Sequence, residues 1–583
     1  MRKYLFLLLS LVLVSCDTKP KHNQVKQLLQ ENIKQLIANT KQLQNAIVAH
    51  KSEAVIQKKF SIAHQSYKDI EALSEYYFPE VSKSINGPAI PEFEVNDNKI
   101  IDPQGFQVIE EMLFPNYDIT TKKELLQQLA MLSGNLIRLK KITNTNELTD
   151  AHIFDALRLE IFRIITMGIT GFDSPIAQQS IPEATVSLQS IANYYKAYTV
   201  DKQDKITILI QKAIAYTTSH TDYNAFDRAT FIKQYANPIS KALYEKQLEL
   251  KIPIFEEIRG LKTTAATLFD KDVFDVEGFS GFLDYKTTPE KIALGKILFN
   301  DPILSGDNSR SCASCHYEDK AFTDGLATAK SMDGNSSLIR NTPTLKNIAY
   351  QRNFFYDSRV SYLEDQAVAV ITNEDEMHGN LDKAALEIMK NKKYVRQFQK
   401  AFPKNDINAF GIKNALASYI RSLSHYDSKF DRYMRNETTY TTEEKQGFNL
   451  FAGKAKCASC HFIPLTNGTV PPKFDKTESE VLGIPNKMGK LDTDLGKYNL
   501  TQAIIHRNSF KTPTLRNIDK TGPYMHNGVF TTLEEVIEFY NNGGGLGLGL
   551  PVANQTLPAD ELNLTEPEKK ALIAFMKTLS DIQ

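Results

Sequence analysis

The sequence predicts a mainly α-helical protein: an N-terminal helical bundle followed by two copies of one smaller module. Three observations predict it. Residues 20–250 carry apolar side chains at three-to-four-residue spacing with little Gly or Pro. Residues 286–583 contain four short motifs that recur in the same order. At 583 residues the chain is also too long for one hydrophobic core, and about three or four domains are expected.

The first sixteen residues read as an export signal. Arg2 and Lys3 precede an apolar run from Leu5 to Val14, which is about half the length of a membrane-spanning helix. The run ends in Leu13-Val14-Ser15-Cys16, which resembles the lipobox of bacterial lipoproteins. That resemblance implies a lipoprotein signal peptide over residues 1–16, acylation of Cys16, and a protein exported to the periplasmic side and held to a membrane. Each buried methylene contributes about 0.8 kcal/mol, so several chains anchor firmly. A cleaved signal with an incidental cysteine is the plainer alternative. The 69 basic and 69 acidic residues cancel with no long basic run, so nothing electrostatic points to nucleic acid.

In the bundle, Leu28, Leu29, Ile33, Leu36 and Ile37 fall near helical spacing, as do apolar residues after Lys122 and Ala151. Six to eight helices are the simplest solution. The segment Asp102-Pro103-Gln104-Gly105-Phe106-Gln107-Val108-Ile109-Glu110, with Met112-Leu113-Phe114, resembles an imelysin-type helical domain. That family has a histidine where Gln107 stands, which removes the expected metal ligand. Residues 251–285 break the helical pattern at Pro253, Gly260, Gly278 and Gly281 and read as the connection to the second half.

The duplication divides that half into modules over 286–435 and 436–583. Gly295-Lys296-Ile297-Leu298-Phe299 recurs as Gly447-Phe448-Asn449-Leu450-Phe451, and Thr342-Pro343-Thr344-Leu345 as Thr512-Pro513-Thr514-Leu515. Ala415-Leu416 through Leu423-Ser424 recurs as Ala571-Leu572 through Leu579-Ser580. Cys312-Ala313-Ser314-Cys315-His316 recurs unchanged as Cys457-Ala458-Ser459-Cys460-His461.

CxxCH is the attachment sequence of c-type haem. Two thiols meet the porphyrin vinyl groups, and the adjacent histidine lies under the ring to bind iron. A four-thiolate zinc site would not need His316 and His461 at matching places, and a redox dithiol would need one pair in a thioredoxin-like setting. Two covalently attached haem c groups are therefore expected, with His316 and His461 as proximal ligands. The modules then read as two cytochrome c-like haem domains.

The second half resembles the bacterial dihaem cytochrome c peroxidases and MauG. The resemblance rests on Leu294-Gly295, Arg340-Asn341-Thr342-Pro343-Thr344, Phe355-Tyr356-Asp357-Ser358-Arg359, Glu364-Asp365-Gln366-Ala367, Glu376-Met377 and Pro523-Tyr524-Met525-His526-Asn527-Gly528. It implies a peroxide site on the first haem, with Glu376 as the distal acid–base group and Gln366 as a second distal residue. A carboxylate suits the role because it can take a proton from one peroxide oxygen and return it to the other. By residue type alone, Glu376 is the end of a surface run of acids, Glu374-Asp375-Glu376.

Many relatives carry a histidine about sixteen residues after the first CxxCH that blocks the resting site. Met332 stands there, and no histidine lies between His316 and His378, so an open first haem is expected. The family's tryptophan between the haems is Tyr356 here, in a chain with no tryptophan. The second haem's distal ligand falls fourteen residues after His526, on Tyr540, where peroxidases have methionine and MauG has tyrosine. Met525 is the alternative ligand, and Tyr540 also fits as the last core residue of a helix opened by a Thr532/Glu535 capping box. The resemblance further implies one calcium ion held by the Asn341 side chain and the backbone oxygens of Thr521 and Pro523, in keeping with a hard cation's preference for oxygen.

The expected activity is reduction of hydrogen peroxide to water, with electrons from a small redox protein such as a cytochrome c or a cupredoxin entering at the His461 haem. A MauG-like oxidation of a protein or organic substrate, a pure electron carrier, and an iron- or substrate-handling lipoprotein with attached redox modules are the alternatives.

Overall fold

The computed structural model describes residues 20–94, 97–201, 203–280, 285–404 and 407–581. The Leu5–Val14 run, Cys16 and Gly281 lie outside the described residues. Among those described, seven long helices build the first half: Lys21–Val48, Glu53–Lys68, Lys122–Thr145, Asp150–Arg163, Ser180–Tyr195, Lys205–Ser219 and Asn237–Glu249. The first buries Val25, Leu29, Ile33, Leu36, Leu43 and Ile47 along one stripe, at about 1.5–3 kcal/mol for each fully buried aliphatic side chain. Thr149 and Asp204 cap two of the others by accepting from the His152 and Ile206 N–H groups.

The bundle interior holds an ion network. Lys68 Nζ lies 2.7 Å from Glu71 and 2.8 Å from Asp173, and Arg163 reaches the same two carboxylates at 3.1 and 2.8 Å. Burial pushes the Asp173 carboxyl up, but Arg163 and Lys68 outweigh it and hold it at about 2. The imelysin-like segment is also spent internally. The Gln107 amide donates to the Asn86 carbonyl at 3.0 Å, and one Glu110 oxygen accepts from Ile176 N, Ala177 N and Ser174 Oγ.

The described part of the 251–285 connection is packed rather than loose. Leu261, Leu268, Phe269, Val273 and Phe274 are buried, and Arg158 donates to the Thr263 and Ala265 carbonyls.

Each module is built on a helix crossing set by a glycine. The Pro289–Asn300 helix meets Ala409–Arg421, and the Thr442–Phe451 helix meets Glu566–Lys577. A Cβ on Gly295 would lie 1.9 Å from the Ala415 carbonyl oxygen, and one on Gly447 would lie 1.9 Å from that of Ala571. The asparagines two residues after Leu345 and Leu515 repeat as well. Asn347 and Asn517 both take left-handed backbone (φ 59° and 62°), and their side-chain oxygens accept from His425 N and Asp581 N.

Among the described residues, two short antiparallel strand pairs complete the fold. Glu92–Glu94 pairs with Lys99–Ile101, and Ser479–Val481 pairs with Ser509–Lys511 with Glu480 opposite Phe510.

The first module has its own core, centred on Leu298, Ile371, Ile388, Ile412 and Leu416. The bundle does not. Its core runs without a break into the second module, from Leu29 through Phe231 to Phe448, Phe575 and Leu579. Polar contacts follow the same seam: Ala229 N donates to Asn449 Oδ1 at 3.0 Å, and Lys445 pairs with Asp227 at 2.6 Å. Phe172 packs edge-on against Phe462, the residue after His461, with ring centroids 5.5 Å apart.

Candidate functional site

Both CxxCH sequences sit on single 3-10 turns, Cys312–Ser314 and Cys457–Ser459, and all four cysteines are free thiols. Burial pushes the Cys312 and Cys457 thiols up to about 12, the opposite of a poised redox dithiol. His316 Nδ1 lies 2.7 Å from the Phe322 carbonyl. A carbonyl only accepts, so the proton is on Nδ1 and the Nε2 lone pair is left for a metal. The His461 ring faces the carbonyls of Thr466 and Pro513, and its Nδ1 is buried without a hydrogen-bond partner. Burial lowers both histidines, His461 to about 4, so each ring is neutral and able to ligate near neutral pH. Free paired thiols, each followed by a neutral histidine, fit covalently attached haem at both turns.

Around the first turn the acidic run divides. Glu374 and Asp375 are exposed, whereas Glu376 is turned inward, where its charge bears on the Cys315 thiol. Burial pushes the Glu376 carboxyl up, against the Arg359 cation and a hydrogen bond from Asn373. Arg359 is itself held, stacked over Phe355 at 3.5 Å and paired with Asp357 at 2.9 Å. Gln366 lies half-buried on the Leu363–Thr372 helix, whose Glu364 is fixed by Arg421 at 2.8 Å. Met332 donates its N–H to the Asp375 carbonyl at 2.7 Å, so its loop is folded back onto the acidic segment.

Tyr356 lies half-buried at the seam between the modules. Its hydroxyl donates to Asn341 Oδ1 at 3.3 Å, and its carbonyl accepts from Lys511 N at 2.6 Å. Asn341 N donates to the His526 carbonyl at 2.7 Å, three residues past Pro523. His526 stacks on Phe510 with centroids 3.7 Å apart, and Met525 beside it takes φ 71°. Thr521 and Pro523 lie on a turn closed by the Tyr524 hydroxyl, which donates to the Ile518 carbonyl at 3.0 Å.

The expected capping box forms at Thr532 and Glu535, opening the Leu533–Asn541 helix. Tyr540, in its last turn, has its phenol pushed up by burial and by the neighbouring Cys460, Cys457 and Glu480. The structure thus gathers Glu376 to the first attachment turn, Tyr540 to the second, and Tyr356 with Asn341 between them.

Three residues escaped the sequence reading. Arg359 lay inside a quoted motif without a role, Arg310 stands two residues before Cys312, and Glu480 sits on a strand with no motif of its own.

A family model described as di-haem cytochrome c peroxidase matches residues 289–439. Cytochrome-c peroxidase IdrP2 of Denitromonas iodatirespirans is 35% identical over 312 residues, covering 50% of this chain and 82% of that protein. Methylamine utilization protein MauG of Methylorubrum extorquens is 36% identical over 294 residues, covering 50% of this chain and 78% of that protein. Among solved structures, a MauG-like protein associated with microbial copper homeostasis aligns at 30% identity and a TM-score of 0.47, covering 52% of this chain and 92% of that one. On the family match and the two sequence relatives, the chain belongs to the dihaem cytochrome c peroxidase and MauG superfamily, whose members carry two c-type haems.

Proposed function

We propose that the protein reduces hydrogen peroxide to water at the first module, with Glu376 as the acid–base group and electrons entering through the second. The observation that carries this reading is the half-burial of Glu376, whose backbone carbonyl lies 3.5 Å from the Arg310 guanidinium next to the first attachment turn, while its two acidic neighbours stay in solvent. A haem held by Cys312, Cys315 and His316 supplies the redox-active iron at which peroxide is reduced. The chain supplies the proton handling. The Glu376 carboxylate takes the proton from the near oxygen of peroxide and delivers it to the leaving oxygen. With two electrons and two further protons, both oxygens then depart as water. Arg359 keeps Glu376 charged enough to accept that proton, against the burial that disfavours it.

At the second module, Cys457, Cys460 and His461 would hold the other haem, with Tyr540, in preference to Met525, as a further ligand that would tune its potential. Tyr356 and Gln366 complete the first site's surroundings. A calcium ion on Asn341, Thr521 and Pro523 belongs to the same proposal, as do the Cys16 anchor and a small redox protein as donor. Bound calcium in metal analysis of the purified protein and acyl labelling lost in Cys16→Ala test the first two; absence of either removes that part.

Tyr540 also favours a second reading, a MauG-like enzyme that oxidises a protein or organic substrate, because a phenolate donor stabilises ferric iron. An electron paramagnetic resonance spectrum of the oxidised protein beside Tyr540→Phe separates these readings. One high-spin and one low-spin signal are expected, with only the low-spin one altered in the variant. Two low-spin signals in the native protein would mean a blocked first site and would sink the open-haem reading. Steady consumption of peroxide with a reduced cytochrome, rather than with an organic substrate alone, favours the peroxidase.

A further inference from the structure

The acidic segment at the first site is held from two sides. On one side it lies against the Leu304–Gly306 stretch at a separation only glycines allow. A Cβ on Gly306 would stand 2.2 Å from the His378 carbonyl oxygen, and one on Gly379 would stand 2.0 Å from that of Leu304. Gly306 N donates to the Met377 carbonyl at 2.9 Å across this contact. On the other side is Arg310. One nitrogen of its guanidinium donates to the Lys330 carbonyl at 3.0 Å and reaches the Glu376 carbonyl at 3.5 Å, and another donates to the Ser331 carbonyl. The loop so gripped is closed by the Lys330↔Ser337 bridge and returns the Met332 N–H to Asp375. One planar fork thus ties the haem-attachment turn, the 330–337 loop and the backbone of Glu376 together, a geometry that lysine with a single ammonium cannot reproduce in full.

We propose that Arg310 is a positioning residue for Glu376: it fixes the carboxylate over the first site by clamping the 330–337 loop and the Glu376 backbone to the Cys312–His316 turn. The inference rests on the proposed role of Glu376, and a double-mutant cycle keeps the two separable.

The experiment uses the full-length, haem-loaded protein as native, Arg310→Ala, Arg310→Lys, Glu376→Gln and Arg310→Ala/Glu376→Gln, with haem content measured for each. In Arg310→Ala, peroxide turnover falls about 10- to 100-fold, within what a misplaced acid–base group can lose. Amide hydrogen exchange speeds up in residues 328–338 and 373–378, the two sides of the Met332–Asp375 bond. Arg310→Lys recovers part of both effects. In the Glu376→Gln background, removing Arg310 costs less than about threefold further.

An equal loss in both backgrounds, or exchange unchanged in those two segments, overturns the inference. Full haem loading with native turnover in Arg310→Ala also overturns it. If Glu376→Gln by itself turns over peroxide normally, the acid–base assignment fails instead, and faster exchange at 373–378 still tests the clamp. Should Arg310→Ala load haem poorly, Arg310→Lys carries the comparison, and native turnover with native exchange in that variant counts against the fork geometry.

Discussion

Glu376 is where residue-scale chemistry and sequence reading part company. The attachment residues were legible, because two thiols and a histidine must follow one another at fixed covalent spacing, and Cys312, Cys315, His316, Cys457, Cys460 and His461 allow little else. Glu376 was legible only through family resemblance, since nothing in Glu374-Asp375-Glu376 says which of three acids turns inward. That choice is made by long-range packing, the close approach of Gly306 and Gly379 to the opposite backbone. A pH dependence follows from it. Burial raises the Glu376 carboxyl above the ordinary 4.5, and a general base works as its carboxylate. Peroxide capture is therefore expected to rise with pH through an inflection above that ordinary value and then level off. Stopped-flow capture rates for native protein and Glu376→Gln check this: the variant should be slower by about a hundredfold or more and should lack the inflection. An inflection unchanged in the variant assigns the proton to another group.

At the scale of elements, the duplication could be read from repeated motifs, but its mechanical content could not. Gly295 and Gly447 look like ordinary helix glycines in the sequence. The fold shows that each lies under a carbonyl of the crossing helix, so even one methyl group has nowhere to go. Gly295→Ala and Gly447→Ala should each destabilise their module by about 1–3 kcal/mol or more through overpacking, read as a lower denaturant midpoint with haem still attached. Native-like midpoints would mean that the helices can slide apart without penalty.

The duplication also reaches further than the motifs suggested. The turns Phe354–Val360 and Tyr524–Phe530 close with the same bridge and share left-handed backbone at Phe355 and Met525 and again at Ser358 and Gly528. Tyr356 and His526 thereby occupy equivalent places, an equivalence hidden because side chains diverged while the backbone was kept.

Over the whole molecule, the helical class, the bundle and the two-module half were all readable from periodicity and repetition. The seam between bundle and second module was not, because Phe172, Asp227 and Ala229 carry no motif, and contact across hundreds of residues leaves no local signal. A chain lacking residues 20–250 is expected to keep the first module's high-spin signal and to lose or distort the low-spin signal of the second. An intact second signal in that fragment would show the shared core to be dispensable. The same seam has a bearing on biosynthesis. The bundle is made before the second module yet shares its core with it, through residues such as Phe448 and through the Phe172–Phe462 contact. Until that module is made the bundle waits unfinished, a natural client for holding chaperones. A premature stop ahead of the Thr442–Phe451 helix would therefore show its damage upstream, as protease-sensitive helices in the bundle.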